Sequence, residues 1–508
     1  MKSKSFTLLI TATLLTTLNS QLASTFAQGS LTPPPGAPAP VMKSLDQIES
    51  RIPVNTLPGA SNAVHVISQP GNYYLTGDIV GSTGKNGILI NAHDVTIDLN
   101  GYTLLGSGNG SLDGIRVLEE DGGSGERLIV RNGKIQKWGG AAISMFAHYV
   151  QALQDLDIND CGAGIGCSGA AIVERCRLIS TGRYGILMTS AFSRIKDCSV
   201  NSVYNSDGPA SGISVYFGTV EDSSVNGVWG APGHGIQVEW TAGKIQRCLV
   251  NQIHSFSGNG AGIAGTSVID CTVSYVSAST GSATGIAGQQ IERCTINKIS
   301  GTGASAKAYG IRGSHTSGVI EQCAIDDINA NSAYGISIFT NSYRIVASQI
   351  HNVAATGGYA AGIDSESGAA LFVSACNVSG ITNSGDSSRG ILAYNGQVEN
   401  CSVSNTKGVG IYANGSVHVL NCRVTGVRNG YVGAAFCAGS LGNRLTGNLA
   451  TSSDVGFQIS PGTAGCVLSG NVARSNTTNY SVPASNVAPT VNAAGVAAAT
   501  NPFMNLDL

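Results

Sequence analysis

Residues 285–312 read GIAGQQIERCTINKISGTGASAKAYGIR, one full period of the repeat that decides the fold. A small residue followed by an apolar one opens this period at Gly285-Ile286 and the next at Gly310-Ile311. The step recurs from Gly114-Ile115 through Ala142-Ile143 and Gly164-Ile165 to Gly433-Ala434 and Gly456-Phe457, fifteen times at intervals of 20 to 28 residues. A second landmark falls inside the period: IERC at Cys294, IVERC at Cys176, IKDC at Cys198, IQRC at Cys248, VIDC at Cys271 and IEQC at Cys323. FVSAC at Cys376, VENC at Cys401 and VLNC at Cys422 continue it. Residues two apart on a strand share a face, so each cysteine and the aliphatic residue two positions on both point to the interior. The period is too short for a propeller blade, lacks leucine-rich spacing, and fits one turn of a three-sided parallel β-helix.

Stacked turns place nine of the thirteen cysteines in one axial file, interrupted by Ser223 and Ser348. The file reads as small buried hydrophobes. Disulfides between coils are the rival, opposed by parallel side chains whose Cβ atoms stay about 4.8 Å apart, above the roughly 3.5–4.5 Å a disulfide needs. A linear file also offers no tetrahedral metal site.

The expected fold class is all-β, a right-handed parallel solenoid of about fifteen coils over residues 64–482, its hand being that of nearly all parallel connections. Residues 1–27 read as an export signal, with Lys2 and Lys4 before an apolar run from Phe6 to about Leu18 and small residues up to Ala27. A Pro/Ala linker occupies 28–43 and a cap segment 44–63, in which Ser44, Gln47, Leu45, Ile48 and Ile52 are spaced for a short N-terminal capping helix. The Ala-rich tail 483–508 ends in Phe503, Met504 and Leu506, an apolar plug for the last coil. Charged residues make up 11% of the chain and the formal net charge is −2, so no basic field exists for nucleic acid or anionic lipid. The expectation is a monomer outside the cytoplasm, secreted, periplasmic or on a bacterial surface, with no transmembrane segment once the signal is removed.

The coil grammar, apolar-x-x-Cys-x-apolar followed by a short loop and Gly-Ile-x-apolar, resembles the right-handed parallel β-helix repeat of the pectate-lyase-like superfamily. There Asn often stands where Cys stands here. The opening PGNYYLTGDI and GILINAHDVTIDLNGYTLLG resembles the first coils of secreted bacterial members of unassigned function. That resemblance implies the fold. It leaves activity open among lyases, glycoside hydrolases, epimerases, tailspikes and noncatalytic surface proteins.

The hydrolase branch of that superfamily carries Asn-Thr-Asp, Asp-Asp, Gly-His-Gly and Arg-Ile-Lys in that order. Here Arg194-Ile195-Lys196 comes first, Gly233-His234-Gly235 second and Asp326-Asp327 last, with no Asn-Thr-Asp, so no match survives. The lyase branch uses calcium, which wants converging hard oxygens, and Glu119, Glu120, Asp121 and Glu126 are the candidate cluster; no cofactor is otherwise required. If the repeat isoleucine points in, the next residue and the third point out, a file containing Arg116, Tyr216, Gln237, Glu239, Arg312, Asp364 and Glu366. Asp364 and Glu366 are the candidate acid/base pair and Arg312 the candidate base. Tyr216, Trp229 and Trp240, near His234 and Glu239, are the candidate carbohydrate contacts, since rings with polar tips suit the apolar face of a sugar. Tyr309 and Tyr334 hold one place in consecutive repeats and are expected to stack. Two functions follow: a noncatalytic scaffold presenting a flat face to a glycan or cell-surface component, or a polysaccharide lyase or glycoside hydrolase.

Overall fold

One coil runs through three strands, Ser282–Gly288, Gln290–Glu292 and Thr295–Gly301, before the chain rises to the next at Lys307–Gly313. In the computed structural model the described residues are 51–507, apart from 119–126, 146–149, 190–191, 240–242, 314–316, 340–341, 366–368, 386–387, 430–432, 464, 483–489 and 493–503. All named strand pairs in this unit are parallel, and each joins one coil to its neighbour; for example, Ile286 pairs with Ile311, Ile311 with Ile336 and Ile336 with Ile363. The first strand of every coil belongs to one sheet of eighteen strands, and the other two belong to a second sheet of thirty-five. Fifteen of the eighteen were announced by the small-apolar step. The other three are Ala63–Ile67, Asn86–Ile90 and Thr478–Ser481.

The step has a steric cause. A Cβ on Gly310 would lie 2.5 Å from Ile325 Cγ2 and 2.6 Å from the Gly335 carbonyl oxygen, so the first strand presses against the third with no room for a side chain. The following isoleucine fills the interior, where Ile286, Ile311, Ile336 and Ile363 are fully buried. Each such side chain contributes roughly 1.5–3 kcal/mol by leaving water. One repeat had been placed out of register: Phe436, not Ala434, occupies the isoleucine column, because Ile411 pairs with Phe436 and Phe436 with Phe457. Phe436, Phe457 and Tyr480 then stack up the axis with centroids 4.9 and 5.3 Å apart.

Two residues per coil turn the chain in the left-handed backbone region, such as Arg293 (φ 50°) before Cys294 and Lys298 (φ 58°) four residues later. The first of these corners carries charge. Arg175 grips Asp155 at 2.7 and 2.9 Å, Arg247 grips Asp222 at 2.6 and 2.9 Å, and Arg293 grips Asp270 at 2.7 and 3.1 Å, each pair one coil apart. Hydrogen bonds from the guanidinium hold each aspartate below its ordinary range.

The residue after the first corner is the cysteine file, which lies buried in the hydrophobic core as expected and is hydrogen-bonded there as well. All thirteen cysteines are free and buried. Each thiol in the file points at two carbonyls, which for Cys294 are Glu292 at 3.2 Å and Val268, one coil back, at 3.6 Å. Where Ser223 and Ser348 interrupt the file, their hydroxyls accept the N–H of Cys198 and Cys323. Beyond Cys422 the same column continues as Asn448, Asn471 and Asn505: Cys422 N donates to Asn448 Oδ1 at 2.9 Å, Asn448 N to Asn471 Oδ1 at 2.9 Å, and Asn471 N to Asn505 Oδ1 at 3.1 Å. The position therefore supplies a compact polar group to a buried corner amide.

At the N-terminal end, residues 44–50 of the expected capping helix lie outside the described residues. Arg51, its last residue, instead opens the strand Arg51–Pro53, which pairs with Gly71–Tyr74, so coil formation begins before residue 64. At the other end Asn505–Asp507 is a strand on Val472–Arg474, and its buried residue is Asn505 rather than the expected Leu506; Phe503 lies outside the described residues. His234, whose Nδ1 has no partner among the described residues, is the second residue of the strand Gly233–Val238, and burial lowers its pKa.

Three outcomes follow. Replacing Asn471 with Ala leaves the Asn448 amide without its acceptor, and urea denaturation should register a loss of about 2–4 kcal/mol, against about 1–2 kcal/mol for Cys294→Ala; equal losses would mean the column acts by volume alone. Burial pushes the Cys161 thiol up to about 11 and Cys167 higher still. Because all thirteen cysteines are buried, a thiol reagent should find almost no reactive one in the native protein and all thirteen after denaturation. A histidine pKa depressed in the folded state costs no stability above its unfolded value, near 6.5, and costs increasing stability as pH falls below it. His234→Gln should flatten the decline in melting temperature between about pH 6.5 and 5, and an unchanged slope would exclude His234 as its source.

Candidate functional site

The second corner of the coil, the left-handed position within the third strand, positions the most continuous outward surface. Two residues past it, Tyr204 pairs with Trp229, Trp229 with His254, His254 with Ser277, Ser277 with Ser300 and Ser300 with Asn329, one rung per coil. The corner residues themselves include Ser202, Gly227, Gln252, Tyr275, Lys298 and Asp327. Tyr204 and Tyr275 are exposed. Gly227 is a glycine for two reasons: its φ is +77°, and a Cβ there would stand 2.7 Å from the Trp229 ring, which folds back across it. His254 holds Ser277 Oγ at 2.7 Å through Nδ1 and Ser279 Oγ at 3.3 Å through Nε2, and its ring meets Phe256 edge-on at 5.1 Å. Phe256 meets Tyr204 edge-on at 6.1 Å. Lys298 Nζ donates to Tyr275 Oη at 2.7 Å.

Hollows open at both ends of this file. One, of about 550 Å³, is lined by Asp160, Ser180, Ser202 and Tyr204 among others; the second, of about 350 Å³, by Tyr275, Ser277, Lys298, Ser300, Asp327 and Asn329. Their walls combine exposed ring faces with hydroxyl, amide and paired charged groups. Such a surface can stack on a sugar ring and exchange hydrogen bonds with its hydroxyls.

The outer face of the eighteen-stranded sheet carries a second constellation. Tyr309 and Tyr334 stack at 5.0 Å with planes 16° apart, as expected from their equivalent positions. With Ala361, and with Phe339 and Tyr359 packed against them, they form a small apolar cluster apart from the interior core. Arg312 lies over Phe339 at 4.5 Å and Tyr309 at 5.5 Å; Arg389 lies over Tyr412 at 4.2 Å and Tyr359 at 5.5 Å. Asp364 sits in the column of Arg312 and Ser337 but is only 3% exposed, not the exposed strand acid that alternation suggested. Burial is also the main cause of the raised Tyr359 pKa, with the Asp364 charge adding to it.

The structure separates several residues that the sequence grouped. Tyr216 and Glu239 follow Val215 and Val238, which pair with each other, so they are neighbours at one end of the first sheet. His234 lies at the opposite end of that strand, opposite Ser211. Trp229 belongs to the other sheet, so the expected cluster is not one site. Asp326-Asp327 lies inside the strand Ala324–Ala330. Trp240, Glu366, and the acidic cluster of Glu119, Glu120, Asp121 and Glu126 lie outside the described residues. Among the described residues no three His, Cys, Asp or Glu side chains converge as a metal would need, and no helix is long and apolar enough to cross a membrane. The sequence reading missed Tyr204, His254, Tyr275 and Lys298. The signal was available in their fixed offset from the ladder cysteines: Tyr275 and Lys298 each stand four residues after one.

The family described as right handed beta helix region matches residues 282–450. No curated protein matches the chain. Among solved structures, the A-module of the Azotobacter vinelandii mannuronan C-5 epimerase AlgE6 is similar at 13% identity and a TM-score of 0.23, over 85% of this chain and 91% of that one. Tailspike protein 3 of bacteriophage CBA120 is similar at 11% identity and 0.23, over 85% and 59%. PfbA, a surface adhesin of Streptococcus pneumoniae, is similar at 10% identity and 0.20, over 70% and 83%. Superpositions this loose carry no argument, whereas the parallel coil-to-coil register and the matched repeat region do. On those grounds the chain is a right-handed parallel β-helix repeat protein.

Proposed function

We propose that this protein is an exported, noncatalytic β-helix that presents the groove along its second corner to a glycan or cell-surface component. The observation that carries the reading is the axial file Tyr204, Trp229, His254 on successive coils, continued at the corner by Tyr275. Aromatic rungs on a rigid sheet give large contact area with little side-chain entropy to lose. The second reading is a polysaccharide lyase or glycoside hydrolase working on the outer face of the first sheet. It is favoured by one feature, the buried Asp364 beside Tyr359 and Arg389. Arg312 would be its candidate base and calcium from the 119–126 loop its cofactor, as the sequence suggested.

Affinity electrophoresis of the mature protein through a polysaccharide panel tests the first reading, paired with reducing-end and unsaturated-product assays with and without calcium. Retardation without cleavage is expected. Trp229→Ala and Tyr275→Ala should each weaken binding about tenfold, or about 1.4 kcal/mol, while Arg312→Ala leaves it unchanged. Product release that disappears in Asp364→Asn would replace this reading with the enzymatic one.

A further inference from the structure

We infer that the groove takes an uncharged polysaccharide lying extended along the solenoid axis, an inference that rests on the glycan-binding reading above. Its first support is the strip beside the aromatic file. Two outward columns of the third strands border the corner, and one of them runs Asn201, Asn226, Asn251, Ser274, Asn297 through five consecutive coils. The other runs from Ser199 to Thr295 over the same coils without a charged side chain. Charge returns only outside this window, at Arg177 on one side and Asp326 on the other. Asn251 Nδ2 donates to Asn226 Oδ1 at 2.9 Å and Asn201 Nδ2 to Ser199 Oγ at 2.9 Å, with Asn226 exposed and Asn201 and Asn251 half-buried. Amides and hydroxyls can both donate and accept, as sugar hydroxyls require, but offer an anionic group no counter-charge.

The second support is that the cations bordering this window already have partners. Along the first corner Arg247 and Arg293 are each held by two bonds to an aspartate one coil away. Within the groove, Lys298 is engaged by Tyr275, and the Asp327 charge acts on it as well. A polyanion would have to compete with these partners for each cation. The formal net charge of −2 provides no long-range attraction in its place.

The third support is direction. The columns run along the axis, and from Tyr204 to Asn329 there are five coil steps, about 24 Å at roughly 4.8 Å each. That is the reach of a short oligosaccharide rather than of one ring.

The test uses the intact mature protein in gels containing a linear neutral β-glucan, a galactomannan, polygalacturonate or alginate, each at low and high salt. Calorimetry with a neutral oligosaccharide series follows. Retardation by a neutral polymer that salt leaves unchanged, and affinity that rises at least about tenfold from disaccharide to hexasaccharide, is the expected result. Asn226→Asp together with Asn251→Asp should lower that affinity while leaving the circular dichroism spectrum intact, since both side chains point outward. Salt-sensitive binding confined to polygalacturonate or alginate, still weakened by Tyr275→Ala, would overturn the inference and leave the groove as the binding site. Affinity that does not grow with chain length would also overturn it. Absence of retardation by every polymer would remove the glycan-binding reading itself.

Discussion

The strands of this protein hydrogen-bond from coil to coil and not within a coil, and nearly every other feature depends on that arrangement. A strand three to seven residues long cannot bury its own backbone groups, so each coil needs the next to satisfy its amides and carbonyls. Parallel pairing at constant register then forces equivalent residues into axial columns. Whatever residue type one coil places at a position is judged against the same position one rung above and below. Isoleucine stacks on isoleucine and phenylalanine on phenylalanine, while at the first corner Arg175, Arg247 and Arg293 each pair with an aspartate one coil away.

The cysteine column illustrates how a corner selects chemistry. The left-handed residue before it turns the chain and leaves the next N–H inside the solenoid, facing along the axis. Something on the adjacent coil must accept it, and there is volume for only a small side chain. Serine does so with its hydroxyl at Ser223 and Ser348, asparagine with its amide oxygen from Asn448 to Asn505, and cysteine with a weaker sulfur acceptor, as in the 3.5 Å contact from Cys248 N to Cys271 Sγ. Cysteine gains in apolar burial what it gives up in hydrogen bonding, which suits the middle of the solenoid. Asparagine takes over towards the C-terminal end, where Asn505 lies on the last strand to pair with a coil and its amide anchors that strand through the Leu468 carbonyl.

The fold was legible in the sequence because its two strongest constraints are local and periodic. Gly310 and its equivalents are dictated by close approach of two strands, and the buried file by one orphaned amide per coil; each leaves a fixed residue type at a fixed place. The site was less legible because outward positions are constrained only by solvent. Trp229 could be singled out as a rare residue, but its neighbours could not. The sequence placed it beside Tyr216 and His234, whereas two strands that follow each other in the chain here belong to different sheets, and proximity runs between coils about 25 residues apart. Equating residues by their offset from the ladder cysteine, as with Tyr275 and Lys298, was the reading that the repeat permitted and that residue rarity obscured.

The outer face of the first sheet shows why alternation alone misjudges reactivity. Asp364 does fall in the outward column, but that face is roofed by Tyr309, Tyr334, Phe339 and Tyr359, and the two arginines of the band are flattened against those rings and Tyr412. A carboxylate in general acid/base hydrolysis needs a second acid at a defined separation and room for water or a sugar oxygen between them. Along its column Asp364 has Ser337 on one side and Leu392 on the other, both buried. Asp364 instead acts on Tyr359, where its charge adds to burial in raising the phenol pKa. The corner groove has a more open character: Tyr204 and Tyr275 stand exposed, Trp229 and His254 lie half-buried between them, and Lys298 is held by the Tyr275 hydroxyl.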